Sequence, residues 1–236
     1  MKIIIQKEVN NKIHNIKSPN DWLKYAPPRG KENQWKDGFS AKEFAKYVCS
    51  ESSAFKEHIE QILSTANREE LIGDYYGIPE ATSELGDGKS GGRKPDLLLI
   101  GDKCIVSIEA KVNETFGPTV HSAKASLVSK DERPNYLSKY LWGNNIPSNI
   151  DFLHYQLLTA TVGAIEHAKK EQKEKAYMLV LELKEQIPNK VTGNDKAFNL
   201  FCEALGIKPG DSILCNGVTC WINKKTILID HKYRLL

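Results

Sequence analysis

Apolar positions concentrate most densely between residues 95 and 111, Pro-Asp-Leu-Leu-Leu-Ile-Gly-Asp-Lys-Cys-Ile-Val-Ser-Ile-Glu-Ala-Lys. The run Leu97 to Ile100 and the segment Cys104 to Ala110 predict two adjacent buried strands joined by a tight turn at Gly101 and Asp102. Side chains alternate across a strand, so Ile105, Ser107, Glu109 and Lys111 share one face, and Cys104, Val106, Ile108 and Ala110 share the other. Folding the pair as a hairpin sets Asp96, at the start of one strand, beside Glu109, near the end of the other. Two carboxylates and an ammonium then converge where a core would not choose them.

The pattern on either side supplies the remaining elements. Ser40-Ala41-Lys42-Glu43 reads as a capping box that starts a helix, with Phe44, Tyr47 and Val48 at helical spacing. A second helix over 54–63 aligns Phe55, Ile59 and Ile62. Residues 71–85 suggest an interrupted strand carrying Glu80 and Glu84. Residues 151–170 repeat Leu153, Leu157, Thr161, Ala164 and Ala168 at three- and four-residue steps. On that helix Gln156 shares a face with Ala160 and Gly163, and small residues let a helix lie close to a sheet. Residues 176–183 read as a central strand, so a parallel crossover joins it to the strand ending at Lys111. A helix over 195–205 and a hairpin or meander from Ser212 to Asp230 complete the chain. The first 38 residues read as a loop-like covering arm after a short apolar start. Its Trp22, Tyr25, Arg29 and Trp35 are better explained as packing under an arm than as contacts to a polynucleotide.

Composition narrows the classes. A chain of 236 residues with 40% hydrophobic content can bury one large core, and we read 1–236 as one domain: arm 1–38, core 39–185, extension 186–236. A net charge of +3 permits a local basic surface without demanding a nucleic-acid partner. Five irregularly spaced cysteines do not make a secreted disulfide framework, the apolar start is too short for a signal segment, and no apolar run is long enough to span a bilayer. A cytoplasmic protein with no membrane partner is expected.

Gly88-Lys89-Ser90 resembles the end of a phosphate-binding P-loop, but Ser83 stands where the first glycine belongs, and the segment leads into a strand instead of opening a helix. It is better read as a basic loop beside Asp96, in which Lys89, Arg93 and Lys94 are placed to meet phosphates. Cys215 and Cys220 have no second ligand pair at zinc spacing. Residues 119–149 interleave Lys124, Lys130, Arg133 and Lys139 with Tyr136, Tyr140 and Trp142, which suits either a nucleic-acid backbone or a solvated surface. Glu114 leaves the last catalytic-looking strand either into the site or into solvent.

Pro95-Asp96 followed by Glu109-Ala110-Lys111 resembles the PD-(D/E)xK motif of the restriction-endonuclease-like nuclease superfamily. The resemblance covers roughly residues 40–183, and the wider wording around Trp35-Lys-Asp-Gly38, Ile78-Pro-Glu80, Glu109 to Gly117 and Tyr155-Gln156-Leu-Leu158 is similar to a bacterial branch of it. It implies an α/β fold with an αβββαβ core, a mixed central sheet flanked by helices. It also implies a nuclease that uses Mg²⁺, or Mn²⁺ in its place, most readily on DNA, alone or as a homodimer. Asp96, Glu109 and the Ala110 carbonyl would hold the metal, Lys111 would serve a nearby water, and Gln156 is the helix-borne glutamine. The superfamily's further acid would fall on Glu43 or Glu80. Glu43 already has a capping role, so Glu80 ranks first.

Hard oxygen donors suit Mg²⁺, which keeps several waters and needs few carboxylates. Phosphodiester hydrolysis needs charge stabilisation on the phosphate and an activated water. An isolated Glu-x-Lys is usually an exposed ion pair at a strand end. Here the flanking alternation implies burial, where unpaired charge is costly, and this favours chemistry. A second reading keeps the same fold as an inactive module that binds nucleic acid or a protein, retaining the acids for stability.

Overall fold

The computed structural model describes residues 1–28, 30, 33–65, 71–89, 92–126, 132–185 and 193–229. In chain order its elements are β1 (Ile3–Val9), β2 (Lys12–Asn15), α1 (Pro19–Tyr25), α2 (Ser40–Ser50), α3 (Ser52–Ser64), β3 (Tyr75–Pro79), β4 (Leu97–Gly101) and β5 (Ile105–Lys111). They continue with α4 (Val120–Ser126), α5 (Arg133–Trp142), α6 (Tyr155–Lys170), β6 (Lys175–Glu185), α7 (Asn194–Ala204), β7 (Ser212–Cys215) and β8 (Val218–Ile229). Among the described residues the strands form one mixed sheet of eight in the order β2-β1-β3-β4-β5-β6-β8-β7. The fold is α/β, with helices on both faces and a C-terminal hairpin, and the run from α2 to β6 contains the expected αβββαβ succession.

The sheet separates two apolar layers according to strand parity. Val106, Ile108 and Ala110 of β5 pack with Phe44, Phe55 and Leu63 from α2 and α3. Ile105 of β5 and Leu98 of β4 pack with Leu157, Leu158 and Ile165 of α6. Each such fully buried side chain contributes about 1.5–3 kcal/mol. Glu109 and Lys111 therefore point toward α6, on the face that Ile105 begins. β5 and β6 run parallel, joined through α6, with Glu109 opposite Val180 and Lys111 opposite Glu182.

Three local expectations are corrected. The first 38 residues are not a loop-like arm: β1 and β2 form an antiparallel hairpin, and β1 pairs in parallel with β3, extending the sheet. The turn of that hairpin uses Asn10 and Asn11, both with positive φ (52° and 59°). Within this segment Trp22 is core, Tyr25 stacks on His14 and Trp35 packs against the core, whereas Arg29 lies outside the described residues. The β4–β5 turn centres one residue later than expected, on Asp102 and Lys103, because Gly101 N–H still donates to the Cys104 carbonyl at 3.0 Å. Ser40 makes no cap. It is the first residue of α2, whose N-cap is Phe39 without a side-chain hydrogen bond, and Glu43 instead accepts from Gly38 N–H at 2.9 Å.

The helix expected from Asp151 starts at Tyr155, after a short 3-10 turn over Ile150–Phe152. The aromatic side chains at 136, 140 and 142 pack against the α6-side core, and Trp142 donates its indole N–H to the Ala204 carbonyl at 2.7 Å. These rings are half-buried against that core. Lys130 and Asp230 lie outside the described residues. The five cysteines are all free, and Cys215 and Cys220 are buried in the C-terminal hairpin. No described helix is long and apolar enough to cross a membrane.

Candidate active site

The register of the sheet builds an acid row. Leu97 pairs with Ile108, so one further step puts Asp96 opposite Glu109; Pro79 pairs with Leu97, so the same step puts Glu80 opposite Asp96. Glu80 N–H donates to the Asp96 carbonyl at 3.3 Å, and Ala110 N–H donates to Asp96 Oδ2 at 2.8 Å. Glu80, Asp96 and Glu109 thereby occupy consecutive strands at one level, and all three line a cavity of about 980 Å³. Lys111, Gln156, Arg93, Lys94 and Glu114 also line it.

Of the acids lining the cavity, Glu109 is the most heavily contacted. Its Oε1 accepts from Lys111 Nζ at 3.0 Å and from Gln156 Nε2, and its Oε2 pairs with an Arg93 guanidinium nitrogen. Gln156 is held from the other side, where Gly117 N–H donates to its Oε1 at 3.3 Å. Its amide therefore joins the strand acid to the segment following β5, from the first turn of α6.

Burial and crowding separate the carboxyls electrostatically. Burial, reinforced by Asp96 and Glu109, pushes Glu80 up to about 8. Burial also raises Asp96, and the neighbouring Glu109 adds to it. For Glu109 burial acts in the same direction, but Arg93 and Lys111 outweigh it and hold the group below the ordinary glutamate value. Burial acts to lower Lys111, yet Glu109, Asp96 and Glu114 together raise it, so its ammonium is firmly charged.

Several surrounding residues had no readable signal in the sequence. Lys7 of β1 donates its ammonium to the carbonyls of Pro79 and Glu80 at 2.6 and 3.0 Å, so the N-terminal hairpin braces the end of β3. Glu80 itself has a positive φ of 48° there. Asn194, at the start of α7 and 1% exposed, accepts from Phe116 N–H at 3.2 Å and donates to the Glu114 carbonyl at 2.9 Å and to Glu182 at 3.0 Å. It clamps the strap after β5 that brings Glu114 and Gly117 to the cavity. Ser40 Oγ donates to Glu114, which explains why that serine is not a cap.

A family model described as "Domain of unknown function (DUF6946)" matches residues 15–227. The chain belongs to the DUF6946 family. No curated protein and no solved structure matches it.

In this DUF6946 chain the residues expected at the site divide clearly. Asp96, Glu109, Lys111, Gln156 and Glu80 share the cavity, as do Arg93 and Lys94. Lys89 is exposed and does not line it, and Glu84 points to solvent with Lys170 at 4.0 Å. Glu43 is buried beside Lys46 at 3.4 Å and is not part of the lining. Ala110 turns its side chain to the opposite layer and gives the site its N–H. Arg133 lines the cavity while paired with Asp87 at 2.5 Å.

Among the described residues no group of three or more His, Cys, Asp or Glu side chains closes on a metal by itself. Mg²⁺ does not need such a cage, since one or two carboxylates with water suffice. Hard oxygens on Asp96 and Glu109, with Glu80 beside them at the same level, match that requirement. The raised Asp96 and Glu80 carboxyls also indicate that their full ionisation needs more positive charge than the protein supplies. The donor set therefore fits a hard divalent cation.

Proposed function

We propose that this DUF6946 protein is a Mg²⁺-dependent nuclease of the PD-(D/E)xK type, with Mn²⁺ as a substitute, that hydrolyses phosphodiester bonds in nucleic acid, DNA first among them. One observation carries the reading: Glu80, Asp96 and Glu109 lie in a row on three neighbouring strands, with Lys111 bonded to Glu109 in the same cavity. Asp96 and Glu109 would hold the metal. When bound, it supplies positive charge for the phosphate and a more acidic water.

The chain's own residues supply the rest. Gln156 orients Glu109 and ties it to the strap at Gly117. Lys111, kept charged by the acids around it, acts as a fixed cation toward the phosphate in preference to a neutral base. Lys94 and Arg133 on the cavity wall suit phosphate contacts. A restriction, repair or mobile-element endonuclease working in the cytoplasm fits this chemistry and the five free cysteines. A homodimer would let two such sites cut both strands.

The test is direct. Purified protein should cut labelled DNA with Mg²⁺ or Mn²⁺ and not with EDTA, with an RNA substrate run in parallel. Retention of wild-type cutting by Lys111→Ala would sink the assignment.

A second reading has its own support, because Glu109 already has three partners in Arg93, Lys111 and Gln156. Such a closed network is also what an inactive nuclease-fold module, binding nucleic acid or a protein partner, would keep for stability. Calorimetric Mn²⁺ titration of wild type and Asp96→Ala separates the two: millimolar-range binding lost in the variant supports the nuclease, and no binding in either supports the module.

A further inference from the structure

Resting on the metal reading above, we propose that Arg93 is a stand-in cation: its guanidinium and a divalent metal occupy the Glu109 carboxylate in turn, and the metal enters as Arg93 leaves.

The first argument is occupancy. A carboxylate offers about four lone-pair sites. Two of them, on Glu109 Oε1, are taken by Lys111 and Gln156, and the guanidinium approaches Oε2. A metal ligated by Glu109 must use Oε2, where it meets a guanidinium on the same oxygen. Two cations on one oxygen repel strongly in a buried setting.

The second argument is that Arg93 is imperfectly satisfied where it stands. One terminal nitrogen pairs with Glu109 and the other donates to Thr159 Oγ1 at 3.2 Å, but Nε is buried with no partner among the described residues. Buried donors of this kind are uncommon in folded proteins and cost stability. Leaving this pose therefore forfeits less than leaving a fully bonded one.

The third argument is mechanical. The backbone of Arg93 is fixed by two hydrogen bonds with Ser83, at 2.7 and 2.8 Å. That bridge requires glycine next to it, because a Cβ on Gly92 would sit 2.2 Å from the Ser83 carbonyl oxygen. The Arg93 Cδ passes α6 at Gly163, where a Cβ would lie 3.4 Å away, and the cavity opens in front of it. The guanidinium can swing while its root stays in place, and the acceptor that suits it there is an anionic phosphodiester.

Lys111 contrasts with Arg93. It stands two residues from Glu109 on the same face of β5 and bonds Oε1, whereas Arg93 occupies Oε2, so Arg93 is the cation that yields.

Mn²⁺ titration by calorimetry, with thermal melts in the presence and absence of Mn²⁺, tests this on wild type, Arg93→Met and Glu109→Gln. Arg93→Met should bind Mn²⁺ about 10-fold more tightly than wild type, since the metal no longer has to compete for its site. It should melt lower than wild type without metal and recover most of the difference with it. Arg93→Gln, which keeps a donor for Glu109 without the charge, should tighten binding as well and serves if the Met variant does not fold. Measurable but equal affinity in wild type and both variants overturns the stand-in role and leaves the metal reading intact. Absence of binding in all of them overturns both.

Discussion

Asp96 is tied to Ala110 across two strands: the Ala110 N–H donates to Asp96 Oδ2 at 2.8 Å, which leaves the other carboxylate oxygen for the cavity. The bond separates a structural from a chemical role. Asp96→Asn retains an oxygen acceptor for that N–H, so it should fold normally yet bind Mn²⁺ at least about 10-fold more weakly by calorimetry. Asp96→Ala leaves the N–H unpaired, and denaturant unfolding should show an added loss of about 1–3 kcal/mol. Undiminished Mn²⁺ affinity in the Asn variant would remove Asp96 from the metal site.

Lys111→Met keeps the length of the side chain and removes its charge. Glu109 still has Arg93 and Gln156, so circular dichroism should be unchanged. Single-turnover cleavage of DNA should fall by about 100-fold or more, the scale expected when one group stabilising transition-state charge is lost.

Metal-free stability should depend on pH through Glu80. Its ordinary value of 4.5 is pushed up to about 8 by burial and the neighbouring acids. Between those values the folded state retains a proton that the unfolded chain has released, so stability falls as pH rises from about 4.5 towards 8. Asp96, also raised, acts with the same sign, whereas Glu109, held low, acts with the opposite one. Denaturant melts of wild type and Glu80→Gln across this range isolate the Glu80 contribution. The variant should gain on wild type steadily toward high pH, and parallel curves would contradict the assigned environment.

Asn194→Ala removes the clamp on the strap after β5 and a partner of buried Glu182. Glu182 keeps Lys224 at 2.5 Å, so the fold should survive with a loss of about 1–3 kcal/mol. As a positioning residue, Asn194 should affect turnover more than substrate affinity, which steady-state kinetics with a short oligonucleotide would resolve.

The placement of the candidate residues was legible where it depended on local pattern. Alternation along β5 assigns Glu109 and Lys111 to one face, and a hairpin between consecutive strands leaves little choice about which residue opposes Glu109. Two turns show the limit. The C-terminal hairpin is expected from its apolar flanks, Ser212 to Cys215 and Thr219 onward, and its turn, Asn216-Gly217, takes φ of 49° and 82°. Asn10-Asn11 takes the same left-handed pair of conformations, but between strands as polar as Gln6 to Val9 and Lys12 to Asn15 it went unread. Lys7 was lost with it. Arg93 on Glu109 was illegible for a different reason. It depends on the bridge to Ser83 and on the approach of α6, contacts between segments far apart in the chain that no periodicity encodes. Ser40 shows a motif misread: its hydroxyl serves Glu114, 74 residues away, and a tertiary contact displaced the local cap.

The Ser83–Arg93 bridge also separates the length of a loop from the placement of the site. Because two backbone bonds close the base of the segment between them, residues added after Asp87, at Gly88 or Lys89, would lengthen the excursion without moving Arg93 or Asp96, at an entropic cost that grows only slowly with length. The segment is thus a port through which a fluorophore or capture peptide could be installed beside the cavity while the acid row stays in register.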